Sequence, residues 1–174
     1  MGVAVTLASA ILPAVSASAA DNGLQGWRFR TGVICVDTHG WTRWPARESA
    51  ARYGAISDLN VFAWVDCSSQ PVSQRVVLAT YNNPNEFACA VTDPGKTLDS
   101  GGIVRTMTIR FNMAPRVFNG CHATAAQRAH LMSHELGHAL GLSHRTNAVS
   151  VMSGWTYQWP TTLDLKTLQG LYPW

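Results

Sequence analysis

Residues 134–144 read His-Glu-Leu-Gly-His-Ala-Leu-Gly-Leu-Ser-His, and this stretch decides what kind of domain the chain forms. It fills every fixed position of the pattern H-E-x-x-H-x-x-G-x-x-H. Four residues along a helix are one turn plus about 40°, so His134 and His138 present their imidazoles side by side. Together with His144 they offer three neutral nitrogen ligands and leave the fourth zinc position open, which is typical of catalytic zinc sites.

Two further positions of the motif have a physical reason. Glu135 follows the first histidine on the same helix, close enough to accept a proton from a water molecule that the metal activates. Gly141 comes three residues after the second histidine, where a left-handed backbone can end the helix and turn the chain sharply. We expect this turn to bring His144 to the other two histidines.

The motif lies on a helical pattern that runs from about Thr124 to Leu142. Strand-like runs precede it, and a second helix is predicted between the first two of them, from Pro45 to Leu59. The predicted strands are Trp27–Val36, Val61–Val65, Arg75–Tyr81, Phe87–Thr92 and Ile103–Phe111. A last short helix is predicted near Leu163 to Leu171. The order of strand, helix, four strands, helix and helix indicates an α+β domain.

The first nineteen residues predict an export signal. They are apolar and small, and end in Ala17-Ser18-Ala19, which fits an A-x-A cleavage site. A buried or membrane helix is the alternative, but the run is short and rich in Ser, Thr and Ala. We therefore expect residues 1–19 to be removed and residues 20–174 to form one secreted, extracellular domain that is not held in a membrane.

Composition limits the classes of partner. The chain has 174 residues, 47% of them hydrophobic, which suits one compact domain. Only 13% of the residues are charged, the formal net charge is +3, and the arginines are scattered. Nucleic acid is therefore not an expected partner, and nothing in the sequence calls for an oligomer, so we expect a monomer.

The four cysteines form an even, widely spaced set without a C-x-x-C pair. In an exported protein such a set predicts two disulfides, and three pairings are possible from sequence. Pairing Cys35 with Cys67 and Cys89 with Cys121 would join neighbouring elements and is favoured for that reason. Four buried free thiols are expected only if the chain is not exported.

The motif and the sequence after it resemble the metzincin metallopeptidases, in which a Met-turn follows the histidine motif. Met152, in Ser150-Val151-Met152-Ser153-Gly154, stands where this methionine forms a hydrophobic floor beneath the metal. Among the metzincins, the matrixin branch is the most similar, both in the residues that fill the motif and in the closing stretch from Thr162 to Tyr172. The resemblance covers residues 27–172 in element order, with specific residue matches from about His130 onward.

The resemblance implies a zincin-like fold: a twisted five-stranded mixed sheet with an N-terminal crossover helix, an active-site helix and a C-terminal helix. It implies a zinc endopeptidase that cleaves protein or peptide substrates, with one catalytic zinc. The segment Phe87–Thr92 would be the edge strand that pairs with an extended substrate. Calcium is doubtful, because Asp93–Gly102 and the strand after it carry few carboxylates. Arg145 follows the third histidine, where metzincin subfamilies show their own diagnostic residue.

Other residues near the motif have plainer interpretations. A role for His130 as a fourth ligand would close the water position, so we expect it to support the site or only the helix. Tyr157 is expected to pack. Trp155 and Trp159 either wall a substrate pocket or belong to the core. His39 and His122 are interpreted as loop residues.

Two competing classes of function stay open at this point. One is a secreted zinc-binding module without catalysis, which would have no need of Glu135. The other is a disulfide-bonded structural domain, for which the histidine motif would be a coincidence. The short H-E-x-x-H core arises by chance in roughly one chain in several hundred of this length, and the extended motif is rarer by a factor of about a thousand.

Overall fold

The structure is a computed structural model that describes residues 23–30, 32–55, 59–70, 74–95, 98–146 and 148–173. The predicted export signal, residues 1–19, lies outside the described residues. Its removal and the start of the domain at residue 20 therefore stay predictions.

The described chain contains seven strands and four α-helices. The strands are Arg28–Phe29 (β1), Val33–Asp37 (β2), Asn60–Trp64 (β3), Arg75–Tyr81 (β4), Ala90–Asp93 (β5), Ile103–Val104 (β6) and Thr106–Asn112 (β7). The helices are Ala46–Tyr53 (α1), Pro115–Cys121 (α2), Ala125–Ala139 (α3) and Thr162–Leu171 (α4). A short 3₁₀ turn spans Cys67–Ser69.

Five strands form one mixed sheet in the order β3-β2-β4-β7-β5. The first four are parallel to one another, and β5 pairs antiparallel with β7 at one edge. Helix α1 connects β2 to its parallel neighbour β3, as a crossover connection requires. The α+β class and the five-stranded mixed sheet with its crossover helix are confirmed.

Helix α1 docks onto α3 through small and polar side chains. Its buried residues are Ala46, Ser49, Ala50 and Tyr53, which share one helical face. The Tyr53 hydroxyl donates to the main-chain carbonyl of Ser133 at 2.8 Å. The hydroxyls of Ser49 and Ser133 lie 3.1 Å apart. These buried bonds hold α3, which carries the motif, against α1.

Several predicted boundaries are wrong. The first predicted strand is two strands, because β1 leaves the main sheet and pairs in parallel with β6. Gly26 and Gly102, both with positive φ, permit this second pairing: a Cβ on Gly102 would lie 2.5 Å from the Gly26 carbonyl oxygen. Helix α1 ends at Tyr53 instead of Leu59, since Gly54 caps it. Helix α2 was not predicted, although Pro115 stands in its first turn.

The edge strand begins three residues later than predicted, at Ala90. Before it, the side-chain amide of Asn112 donates to the carbonyls of Glu86 (3.3 Å) and Ala88 (3.4 Å). A side chain thus takes the place of a partner strand over this stretch, and the regular ladder starts only after Cys89.

The favoured disulfide pairing is confirmed. Cys35 in β2 bonds to Cys67 in the 3₁₀ turn, and Cys89, just before β5, bonds to Cys121 at the end of α2. Each bridge spans a sequence separation of 32 residues. The second bridge attaches the edge strand to α2.

Candidate metal centre

The three motif histidines converge on one point. Helix α3 starts with a capping box, in which Thr124 and Gln127 bond reciprocally. It carries His134 and His138 on one face, and each Nε2 lies 3.1 Å from Nε2 of His144. The ligand atoms of the three residues all lie within 4.8 Å of one another. Three nitrogens that face a shared point fit a tetrahedral metal ion with one open position.

The second nitrogen of two rings is held by the main chain. Nδ1 of His134 lies 3.0 Å from the Val151 carbonyl oxygen, and Nδ1 of His138 lies 2.8 Å from that of Leu142. A carbonyl only accepts, so each Nδ1 carries the proton and each Nε2 keeps its lone pair for a metal. The rings are therefore oriented before a metal binds.

Burial also keeps these rings neutral. It lowers the pKa of His134 to about 3, helped by the neighbouring His138, and it lowers the pKa of His138 to about 4. Metal ligation requires neutral imidazole, and both rings are in that form at neutral pH.

Gly141 ends the helix and delivers His144. Its φ is +106°, and the Leu142 N–H bonds back to the Gly137 carbonyl while the Gly141 N–H bonds to that of His138. This is a Schellman motif with glycine in the left-handed position. A Cβ at position 141 would lie 2.6 Å from both the Trp27 carbonyl oxygen and Cδ2 of Leu171. Only glycine fits this turn.

Glu135 is 5% exposed, and its carboxylate bonds to the edge strand. The Thr92 hydroxyl in β5 donates to Oε2 at 2.6 Å and also lies 3.1 Å from the Glu135 main-chain oxygen. Burial raises the pKa of Glu135 to about 7, and the Thr92 bond opposes that rise. A carboxylate with a pKa near neutrality can both take up and release a proton.

Met152 is buried beneath the helix that carries the histidines. A Cβ on Gly137 would meet the Met152 sulfur and the Tyr53 hydroxyl, each at 2.7 Å, so both groups pack against the glycine. The loop that carries Met152 is anchored by Asp164 of α4, a fully buried carboxylate. Asp164 accepts from the Val151 N–H at 2.9 Å and from the Ser150 hydroxyl. Helix α4 thereby fixes the carbonyl that orients His134.

A cleft of about 400 Å³, which we call the histidine cleft, opens beside this group. Its lining includes His134, Glu135, His144, Met152 and Trp155. A larger cleft of about 520 Å³ lies at Trp41 and Trp64, but its lining contains no histidine or cysteine. The convergence of ligands and of a carboxylate with a raised pKa selects the smaller cleft as the reactive one.

The residues near the three histidines differ in whether they line the histidine cleft. His130 lies outside the three-histidine group, because its Nδ1 lies 2.6 Å from the Tyr157 carbonyl oxygen and its ring packs against that of Trp155, tilted by 38°. Trp155 lines the histidine cleft and is 51% exposed. Trp159 lies elsewhere, with the Arg52 guanidinium 4.3 Å from its ring centroid.

The motif does not contain some of the residues that support the site. Thr92 has no local sequence signal, because it meets Glu135 only through the sheet. Asp164 could have been found as the third residue of a capping box that begins at Thr161, although the box does not indicate its bond to the loop of Met152.

Comparison with known families agrees with this geometry. The matrixin family model matches residues 5–172, nearly the whole chain. No curated protein matches the chain with significant similarity. The match and the three converging histidines lead to one conclusion: the chain belongs to the matrixin family and is a zinc metalloendopeptidase.

Proposed function

We propose that this matrixin is an exported, monomeric endopeptidase with His134, His138 and His144 as zinc ligands and Glu135 as the general base. The observation that carries the proposal is the convergence of the three Nε2 atoms beside a buried carboxylate. Peptide-bond hydrolysis needs both parts, a site for an electrophilic metal and a group that accepts a proton next to it.

The three histidines would hold a zinc ion, which would supply Lewis acidity to polarise the scissile carbonyl and lower the pKa of the attacking water toward about 7. Glu135 takes the proton from that water and passes it to the leaving amine. The Thr92 hydroxyl holds Oε2 at 2.6 Å, which leaves Oε1 to exchange the proton. The low polarity around this carboxylate favours the protonated form that the second transfer requires.

The edge strand β5 is the proposed docking site for an extended substrate. Within the described residues it pairs with β7 on one side only, and Cys89 and Ala90, at and just before its first residue, line the histidine cleft. A substrate strand added to its outer side would gain main-chain hydrogen bonds and pass Glu135. Trp155, on the rim of the same cleft, would contact a side chain next to the scissile bond.

Export is supported by the cysteines and by the N-terminal sequence. Both disulfides suit an oxidising compartment. Within the described residues, no helix has the length and apolar character needed to cross a bilayer. We propose that residues 1–19 direct export and that residues 20–174 form the catalytic domain.

A zinc-binding module without catalysis is the competing function, and Glu135 separates the two. A module that only binds zinc would gain nothing from a buried carboxylate with a raised pKa, whose burial destabilises the ionised form.

The test compares purified wild type with Glu135→Ala on casein, with and without a chelator. We expect the variant to lose activity by a factor of about 10² to 10⁴ while it retains zinc by metal analysis. Glu48→Ala is the matched control, because Glu48 lies exposed in α1 and should not affect turnover. Equal turnover by Glu135→Ala would remove Glu135 from the mechanism.

A further inference from the structure

The first described residues of the chain lie against the turn between the second and third histidines, on the side of His138 away from the three Nε2 atoms. We call Gly23–Trp27 the N-terminal strap. Two main-chain hydrogen bonds join it to the turn between the second and third histidines, from the Gln25 N–H to the Gly141 carbonyl (2.7 Å) and from the Ser143 N–H to the Gly23 carbonyl (3.0 Å). Together they form an antiparallel bridge of Leu24 with Leu142. The strap therefore pairs with the segment that delivers the last ligand.

Two side chains of the strap contact a ligand directly. The Trp27 indole N–H donates to the main-chain carbonyl of His138 at 3.0 Å. The Gln25 amide nitrogen lies 2.9 Å from Nδ1 of His138, the ring nitrogen whose proton the Leu142 carbonyl accepts at 2.8 Å. Turned by 180°, the amide presents its oxygen to that same proton, which Gln25 and Leu142 then share. His138 is thus held at its main-chain carbonyl and at the protonated edge of its ring.

These contacts add to the hydrogen bonding of the helix end. The His138 carbonyl accepts the Gly141 N–H within the Schellman motif, and the Trp27 indole is a further donor to it. The Gln25 N–H donates to the carbonyl of Gly141, which lies in the turn beyond the helix. Without the strap, the turn that positions His144 would lose part of its hydrogen bonding.

The strap also meets the residue that follows the third ligand. The Arg145 guanidinium packs against Gly23, and a Cβ there would lie 2.2 Å from one of its nitrogens. Arg145 is fixed in turn by a bond from its N–H to the Met152 carbonyl (3.1 Å) and by one from its side chain to the Thr167 hydroxyl (2.9 Å). The strap thereby contacts the residues on both sides of His144, which are Ser143 and Arg145.

We propose that docking of the N-terminal strap and binding of zinc are coupled, with Gln25 and Trp27 as positioning residues for His138. The inference rests on the zinc assignment proposed above. Coupling between two binding events is reciprocal, so an intact strap raises the affinity for zinc and bound zinc holds the strap in place. Any change that displaces the strap then weakens the metal site without touching a ligand.

The first experiment measures the zinc dissociation constant by competition with a chromophoric chelator. We expect Gln25→Ala and Trp27→Phe each to weaken zinc binding by about tenfold, the lower range for groups that orient a ligand. Gln70→Ala and Trp41→Phe make the same changes away from the strap and should leave the constant unchanged. A merely structural role would lower the denaturation midpoint of the metal-free variants and leave the zinc constant as in wild type, which would overturn the inference.

The second experiment uses the wild-type protein, so it does not depend on how a variant folds. Hydrogen exchange of the Gln25 and Ser143 amides is followed with and without zinc, with the Gly54 amide at the end of α1 as an internal reference. Zinc should slow the two strap-dependent amides by at least about tenfold and leave Gly54 nearly unchanged. Equal exchange in a zinc-loaded and a zinc-free sample contradicts the coupling. A wild type that binds no zinc at all contradicts the zinc assignment itself.

Discussion

At the scale of single residues, the position of Glu135 depends on a hydroxyl that lies 43 residues away in sequence. Thr92 holds one carboxylate oxygen from the strand that is proposed to bind the substrate. A hydrogen bond to a charged group contributes about 1.5–3 kcal/mol, enough to fix the rotamer of the carboxylate that is proposed as the general base. The proposed substrate site and the contact that orients the proposed base therefore lie on one strand.

Replacing Thr92 by Val tests this arrangement. The isosteric methyl cannot donate, so Glu135 becomes free to turn, and we expect kcat to fall about tenfold with KM nearly unchanged. Thr92→Ser should restore most of kcat. Thr80→Val, on the exposed end of β4, is the matched control. The measurement is steady-state kinetics on a peptide substrate. A Thr92→Val variant with the kcat of wild type would contradict the proposed role of Thr92.

Gly141 offers a second test at this scale. An alanine there adopts a positive φ and places its Cβ 2.6 Å from the Trp27 carbonyl oxygen, so we expect Gly141→Ala to lower the free energy of unfolding by about 2–4 kcal/mol. Gly154 has φ +92° and no atom within 4 Å of an added Cβ. Gly154→Ala therefore shares the backbone strain without the collision and should lose only about 1–2 kcal/mol in urea unfolding. Similar losses in the two variants would contradict the close approach of the strap.

At the scale of elements, the two disulfides form a natural comparison. Both span 32 residues, so the loop-entropy model gives each about 3–4 kcal/mol of stability. They differ in place, because Cys89 lines the histidine cleft at the start of β5 whereas Cys35 is fully buried in β2.

Removing each bridge separates stability from substrate binding. We expect Cys89→Ala/Cys121→Ala to raise KM several-fold, because the proposed substrate strand loses its attachment to α2. Cys35→Ala/Cys67→Ala should lose similar stability in urea unfolding with little change in KM. An equal rise of KM in both double variants would indicate a general loss of stability, and the special role of the β5 bridge would be wrong.

The sequence predicts well the features that depend on residues close together along the chain. The helix that carries His134 and His138 follows from the 3.6-residue period, and the three ligands follow from the motif. The predicted α1 runs six residues past the observed end at Tyr53, because the apolar period continues in the sequence beyond the capping Gly54. The pairing of β1 with β6 and the burial of His122 between Trp44 and Phe118 arise from contacts distant in sequence. The contacts of Thr92 with Glu135 and of Gln25 with His138 are also distant in sequence, so the sequence does not indicate them.

At the scale of the whole molecule, the metal site makes stability depend on pH. Burial places the pKa of His134 at about 3 and that of His138 at about 4, against 6.5 in an unfolded chain. Between those values the unfolded state binds more protons, so both groups make the metal-free protein less stable as pH falls. Glu135 acts in the opposite sense, because its pKa rises from 4.5 to about 7 and the folded state then holds the extra proton.

The balance predicts acid sensitivity of the metal-free protein. From pH 7 to pH 5 each of these two histidines removes about 2 kcal/mol of unfolding free energy and Glu135 returns about 2 kcal/mol, which leaves a net loss of about 2 kcal/mol from the three groups. Burial also lowers the pKa of His122 and of His130, so both add to the loss in the same direction. Urea unfolding in the presence of chelator at the two pH values measures it. A His134→Asn/His138→Asn variant has no buried imidazole to protonate at these positions, so between pH 7 and pH 5 it should lose about 4 kcal/mol less unfolding free energy than wild type. A wild-type protein as stable at pH 5 as at pH 7 would mean that the two rings are far less buried than the structure places them.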